Sequence, residues 1–268
     1  TSQGLLTAKE YLEEGNGTIL GVSGEEKPAM YDTMGFSQLV ELKTQFGNVI
    51  KGKPGHRVFT VKHNGFGTHW RKLSAFTGTT DYYVAMKVGA DLWAQESPNF
   101  DFTSVNRFDN STVEVTLPEN GSVELAYVLG YLTAEGCLSE NGRVIFTMAD
   151  VEVMEHYYEC FSDVFGVPVE VLRSKTRNVE GTLTCDFFST EVYNFLRYLG
   201  CGTHSRDKKV PKCIRTGTRG EVQAFLSAFY EGDGSINIKS VSCFSTSYEL
   251  ASDIQQLLFN FGVISSLI

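Results

Sequence analysis

Two near-copies of one nine-residue pattern constrain this chain more than anything else in it: Val128–Gly136 (VLGYLTAEG) and Leu226–Gly234 (LSAFYEGDG). Each is an apolar run with small residues at helical spacing, closed by an acid and then a glycine. Glu135 and Asp233 hold the same place in the two copies, 98 residues apart. A single acid before a glycine is ordinary helix-end solvation. Two in equivalent places of a repeat predict a pair of carboxylates brought side by side at one metal site. The surroundings repeat too, with FSDVFGVPV from Phe161 and LLFNFGVIS from Leu257 at matching points, so duplication is the main organisational signal.

A chain of 268 residues has room for two domains with real cores. Its 42% hydrophobic and 21% charged residues are those of a globular protein. No apolar run reaches bilayer length, and the start TSQGLLTAKEYLEEG has neither the basic lead nor the apolar core of a secretory signal. The expected location is therefore cytoplasmic, without a membrane partner. All six cysteines follow residue 136 and form no CxxC, which predicts free thiols in a reducing compartment.

The net charge of −9 argues against a simple nucleic-acid binder. From Val123 onward there are 12 Lys and Arg against 18 Asp and Glu, so any DNA surface has to come from local clustering. The dense basic cluster is Arg206–Lys212 (RDKKVPK), followed by Arg215 and Arg219.

Residues 1–111 read as β-rich. Short segments at Leu39–Thr44, Asn48–Lys51, Arg57–Lys62 and Tyr82–Lys87 alternate with Gly, Asn, Pro and Asp punctuation, and one short helix covers Ala8–Glu14. Gly65 and Gly67 mark a turn before Trp70. Pro118, Asn120 and Gly121 close this half in a junction over 112–122, after which Ser122 is placed to cap a helix from Val123 to Gly136. The texture then alternates. Strands are predicted at Arg143–Met148, Val167–Ser174, Thr182–Phe188, Ser235–Ile238, Ser242–Ser245 and Val263–Ile268. Helices are predicted at Asp150–Phe165, Thr190–Leu199, Glu221–Tyr230 and Ser247–Phe261, with stops at Gly166, Gly200 and Gly262.

In the first half, Thr44, Gly47, Ile50, His56, Trp70, Leu73, and Asp81 with Tyr83-Val84 follow a recognisable order over Tyr31–Trp93. This run resembles the Hint fold of inteins, the self-splicing protein elements. The resemblance implies that His56 is the histidine that polarises the amide preceding residue 1 and protonates the departing nitrogen in an acyl shift. It makes Thr1 the hydroxyl nucleophile. Two residues depart from the pattern: Lys53 stands where the family carries a threonine, and Thr1 where it carries cysteine or serine. His63 and His69 have no such support and are expected at the surface.

The repeated nonapeptides resemble those of the LAGLIDADG homing endonucleases, in the two-motif single-chain form found inside inteins. The resemblance implies two helices packed on a pseudo-two-fold axis through Gly130, Ala134, Ala228 and Gly232. Glu135 and Asp233 would then hold Mg²⁺ over two scissile phosphates of double-stranded DNA. Glu231 is expected as a surface acid near the site, because Thr133 holds its place in the first copy. Lys208-Lys209-Val210-Pro211 matches the family's K-x-I-P segment and makes Lys208 the active-site lysine. Lys209, Lys212, Arg215 and Arg219 are candidates for phosphate contacts, and Arg173, Lys175 and Arg177 for a groove-reading strand and turn.

The expected architecture is multidomain: an all-β Hint domain over 1–115, then an α/β pseudo-two-fold endonuclease domain of αββαββα repeats over 116–268. The second copy spans 47 residues (222 to 268), and the family's C-terminal splicing segment with its histidine–asparagine pair has no match here. By the resemblance, splicing or autocatalytic cleavage needs a second polypeptide that supplies the C-terminal part, docked on an exposed apolar edge. Two other readings stay open: a splicing element whose nuclease has decayed, and a non-cleaving DNA-binding or maturase-like protein.

Overall fold

A computed structural model describes residues 1, 3–14, 18–21, 24–26, 35–62, 67–76, 82–103 and 113–268. Of the positions singled out above, Tyr31, His63, Gly65, Asp81 and residue 112 lie outside the described residues. In chain order the elements are α1 (Ala8–Glu14), β1 (Ile19–Gly21), β2 (Gly24–Glu26), β3 (Val40–Lys43), β4 (Val49–Gly52), β5 (Arg57–Lys62), β6 (Thr68–Lys72) and β7 (Tyr82–Val84). They continue with α2 (Val123–Glu135), β8 (Gly136–Ser139), β9 (Arg143–Met148), α3 (Val151–Phe165), α4 (Val169–Ser174), β10 (Thr176–Val179), β11 (Thr182–Phe188) and α5 (Thr190–Tyr198). The last are α6 (Lys212–Arg215), α7 (Arg219–Asp233), β12 (Gly234–Ile236), β13 (Val241–Cys243) and α8 (Tyr248–Asn260). No described helix is long and apolar enough to cross a membrane.

The chain forms two compact units, one of Thr1–Gly17 with Leu92–Leu257 and one of Thr18–Asp91 with Leu258–Ile268. This division differs from the boundary expected at residue 115. The described part of the N-terminal segment joins the helices through the Arg215 contacts given below, and the stretch from Leu92 through the Ala94 N–H, which donates to the Gly217 carbonyl at 3.3 Å.

The smaller unit is built from antiparallel pairs: β1 with β2, β3 with β4, and a three-stranded sheet in the order β6-β5-β7. Along β5, Val58 and Thr60 turn inward, and the buried Thr60 hydroxyl donates to the His69 carbonyl at 2.9 Å. Gly47 takes a positive φ of 80° in the turn between β3 and β4, where its N–H reaches the Thr44 carbonyl at 3.0 Å. Phe59 packs on Trp70 with ring centroids 5.3 Å apart, and the Arg71 guanidinium lies 4.0 Å above the Tyr82 ring.

The larger unit is mixed α/β. Its sheet has the order β10-β11-β9-β8, every pair antiparallel. Local chemistry starts α2 and α3 where the sequence predicts, whereas α7, expected over Glu221–Tyr230, runs from Arg219 to Asp233. The Ser122 hydroxyl accepts from the Leu125 N–H, Asp150 from Glu152 and Val153, and Thr218 forms a capping box with Glu221. Gly166 ends α3 in the left-handed region at φ 68°. The core between α3, α5 and the inner sheet face is aromatic: Phe146 and Tyr157 lie 4.5 Å apart by centroid, Phe161 and Phe165 4.6 Å, Phe161 and Phe187 5.3 Å.

Two predicted strands are absent. Val167–Ser174 becomes the short helix α4, because Pro168 opens a turn at φ −57°, Glu170 favours its first turn, and the fully buried Leu172 carries its packing. The β-branched Val167, Val169 and Val171 are overruled by that contact. The first repeat thus reads αββααββα rather than αββαββα. Val263–Ile268 has no strand ladder; Leu267 makes one backbone bond to Phe46 at 3.0 Å, and an extended run becomes a strand only against a paired edge.

Candidate active site on the paired helices

Helices α2 and α7 run side by side in the same direction, since Gly130 faces Phe225 and Ala228 while Ala134 faces Gly232. The approach is as close as small residues permit. A Cβ on Gly130 would stand 2.5 Å from the Phe225 carbonyl oxygen and 2.7 Å from the Ala228 Cβ, and one on Gly232 would stand 2.5 Å from the Ala134 Cβ. The four small residues predicted at this contact are the ones that form it.

Glu135 and Asp233 are the last residues of the two helices. Gly136 and Gly234 then turn the chain directly into β8 and β12 with ordinary negative φ. Space makes them glycine: a Cβ would lie 2.4 Å from Leu132 Cα at one and 2.1 Å from the Tyr230 carbonyl oxygen at the other. Both carboxylates therefore sit at the negative ends of helix dipoles, and neither last turn holds a basic residue. Stability alone would favour lysine here.

The cation comes from another segment. Lys208 Nζ donates to the Ala134 carbonyl at 2.9 Å, and its own carbonyl accepts from the Ser247 hydroxyl at 2.6 Å. Burial lowers the Lys208 pKa, opposed by the charges of Asp233 and Glu135. Asp233 moves up, first from burial and then from the Glu135 charge, with Lys208 opposing. Three residues singled out from sequence thus meet at one edge. A divalent cation between Glu135 and Asp233 would offset the Glu135 charge that adds to burial in raising Asp233, so the donor set fits one. Among the described residues no group of three or more His, Cys, Asp and Glu forms a metal site, so further ligands have to be water or substrate oxygens.

The other predicted residues scatter. Arg215 is a correction as a solvent-facing phosphate contact: its guanidinium makes two bonds to the Glu10 carboxylate at 2.8 and 3.1 Å and a third to the Leu5 carbonyl. With the Leu5 N–H on the Arg215 carbonyl at 2.7 Å, this pair ties the N-terminal segment to α6. Lys212 lines a cavity of about 730 Å³ with Phe100, Tyr198 and Cys213. Lys209 and Arg219 are exposed. Arg173 pairs with Glu155, and Lys175 caps α4. Thr1, in the larger unit, turns both its ammonium and its hydroxyl to the Gly4 carbonyl at 2.8 Å. His56 is an exposed loop residue of the smaller unit, its N–H on Lys53 and its carbonyl accepting from Leu73. His69 is exposed on β6, as expected. The six cysteines are free; burial pushes Cys160 and Cys201 up to about 12.

Sequence reasoning singled out Arg177 but missed the rest of the open face of the large sheet. There Arg143, Ile145 and Thr147 of β9 align with Asp186 and Thr184 of β11, and Arg177 of β10 follows in register. Arg143 and Arg177 both reach Asp186 Oδ2, at 2.7 and 3.1 Å, and the Thr147 and Thr184 hydroxyls lie 3.2 Å apart. The alternation Arg143-Val144-Ile145-Phe146-Thr147 is the signal that could have found them.

Residues 220–268 match the family model of the LAGLIDADG-like domain. The chain is similar to the replication factor C small subunit of Methanocaldococcus jannaschii, 24% identical over 93% of this chain and 12% of that protein. It is also similar to a DNA gyrase subunit of Mycobacterium gordonae (32% identical over 52% of this chain and 26% of that protein) and to the DNA polymerase II large subunit of Thermococcus kodakarensis (31% over 52% and 8%). The chain thus spans about a quarter or less of these relatives. Among solved structures it is similar to I-DmoI in complex with DNA and Mn, 16% identical with a TM-score of 0.39, over 53% of this chain and 79% of that one.

Proposed function

We propose that this chain is a LAGLIDADG-type homing endonuclease carried within a protein-splicing element, and that it makes a double-strand break in a specific DNA site. The observation that carries the reading is the meeting of Glu135, Asp233 and Lys208 at the ends of two helices whose dipoles disfavour the acids. The relatives add support. Three proteins with different names share this stretch as a minor part of their length, which is how an inserted element is distributed.

In this reading Glu135 and Asp233 hold Mg²⁺, which when bound supplies Lewis acidity toward the scissile phosphates. The ammonium of Lys208, beside the two carboxylates, offsets negative charge that builds on the phosphate during attack by water. The open sheet face takes the DNA, with Arg143 and Arg177 beside the bases, while Lys209 and Arg219 contact phosphates. For splicing, Thr1 is the nucleophile, His56 activates the preceding amide, and a second polypeptide brings the C-terminal splicing segment.

Duplexes retained by the chain from a randomised library, incubated with Mg²⁺, provide the test. Cutting that disappears in Asp233→Asn while binding persists supports the nuclease. Retention without cutting by the unaltered chain favours the non-cleaving DNA binder; neither retention nor cutting favours the splicing element with a decayed nuclease, a reading toward which the acidic balance of 18 Asp and Glu against 12 Lys and Arg after Val123 points.

A further inference from the structure

One turn before the paired carboxylates, α2 and α7 are joined by a chain of hydrogen bonds that the repeat does not duplicate. Tyr131 Oη donates to Glu231 Oε2 at 2.7 Å and lies 2.8 Å from His156 Nδ1, whose Nε2 is 3.5 Å from Cys160 Sγ. A phenol has one proton. It goes to the carboxylate, so the phenol oxygen accepts and His156 carries its own proton on Nδ1. In the neutral imidazole with its proton on Nδ1, Nε2 accepts and the Cys160 S–H donates to it. Burial pushes the Cys160 thiol up to about 12 and the Tyr131 phenol well above its ordinary range, so both keep their protons. In that tautomer every bond points one way, from Cys160 through His156 and Tyr131 to Glu231. The Tyr127 ring meets His156 edge-on at 4.6 Å and fixes the plane of the imidazole.

The repeat offset of 98 residues sets Phe229 opposite Tyr131 and Glu231 opposite Thr133. Phe229 has no hydroxyl, and the Thr133 hydroxyl donates to the Leu129 carbonyl of its own helix at 2.7 Å. The mirror-image link is therefore missing. Tyr131 is fully buried four residues before Glu135, and Glu231 stands two residues before Asp233. We propose, resting on the nuclease reading above, that Tyr131 is a positioning residue that holds the last turn of α7, and with it Asp233, against α2. The two carboxylates are thereby inequivalent, and the two DNA strands are cut at different rates.

The test uses the full 268-residue chain and a library-selected duplex with a different fluorophore on each strand. Tyr131→Phe is expected to bind this duplex as the unaltered chain does, while cutting of one strand slows about tenfold or more relative to the other. Glu231→Gln, whose amide oxygen still accepts the phenol proton, keeps the original strand ratio; Glu231→Leu reproduces Tyr131→Phe. Equal slowing of both strands, or no change, overturns the proposal. Amide hydrogen exchange over Phe229–Gly234 reports on the same link without cutting: faster in Tyr131→Phe and unchanged in Glu231→Gln is expected, and unchanged exchange in Tyr131→Phe overturns it. A wild-type chain that cuts no duplex removes the nuclease reading and leaves exchange to decide whether Tyr131 positions the helix.

Discussion

Gly130→Ala tests whether backbone approach between α2 and α7 sets the site. The added Cβ would lie 2.5 Å from the Phe225 carbonyl oxygen and 2.7 Å from the Ala228 Cβ. Ordinary contacts are about 3.3 Å or more for carbon to oxygen and about 3.5–4.0 Å for carbon to carbon, so the helices must part by roughly 0.8–1 Å. The oxygen belongs to backbone, so no rotamer change relieves the clash. Overpacking of this kind costs about 1–3 kcal/mol, and alanine's better helix propensity returns about 1 kcal/mol. At the upper end this leaves about 2 kcal/mol of net destabilisation, which is a fall in Tm of about 4–8 °C. Separation of Glu135 from Asp233 by that distance should slow cutting about a hundredfold. Gly220→Ala is the control, because its Cβ meets nothing nearer than Val123 Cγ2 at 3.8 Å; it should leave Tm unchanged or slightly raised. Calorimetry and a cutting assay on both variants decide the matter. A Gly130→Ala protein as stable as the Gly220→Ala one would refute the close-packing argument.

The Glu10–Arg215 pair should make stability fall in acid. Glu10 is held at about 2, first by the Arg215 bond, so its contribution is complete above the ordinary carboxylate value of 4.5 and is lost as pH falls toward 2. That displacement equals roughly 3 kcal/mol at about 1.36 kcal/mol per pKa unit, which water at the open edge of the pair screens to about 1–2 kcal/mol. In urea titrations, Glu10→Gln should lose about that much at pH 7 and little at pH 2; an equal loss at both pH values contradicts the assignment. Lys208→Met leaves two carboxylates at helix C-termini without a cation, so Mg²⁺-dependent cutting should fall about a hundredfold or more with DNA retention kept, and full cutting would remove Lys208 from the site. Replacing both Arg143 and Arg177 by alanine should weaken retention of the selected duplex by about 1–3 kcal/mol per lost base contact and relax its sequence preference; unchanged affinity and preference mean that DNA does not meet this sheet face.

Much of the chain is legible because local chemistry decides it. Ser122 and Asp150 start helices, Gly166 and Gly262 stop them with φ of 68° and 90°, and the small residues at 130, 134, 228 and 232 mark a close helix contact before the fold is known. The repeat finds Glu135 and Asp233 because duplication preserves spacing, and a linear pattern records spacing. What it cannot record is which distant group answers a charge. Arg215 reads as one more basic residue in a basic cluster, and only the folded chain brings Glu10, 205 residues away, to neutralise it. The same capture counts the first residues with the helices and not with the strands that follow them. Val167–Ser174 carries β-branched residues but becomes a helix, because one buried leucine is worth more than a propensity. The sequence by itself determined the two signature helices, the Ser122 cap of the first and the two acids that close them. Only tertiary structure decided the partners across space: Lys208 on the end of α2, Asp186 between two arginines, and Tyr131 on Glu231. The physical reason is range: caps and turns are satisfied within a few residues, whereas a buried charge or phenol takes whichever partner the packing of distant elements brings to it.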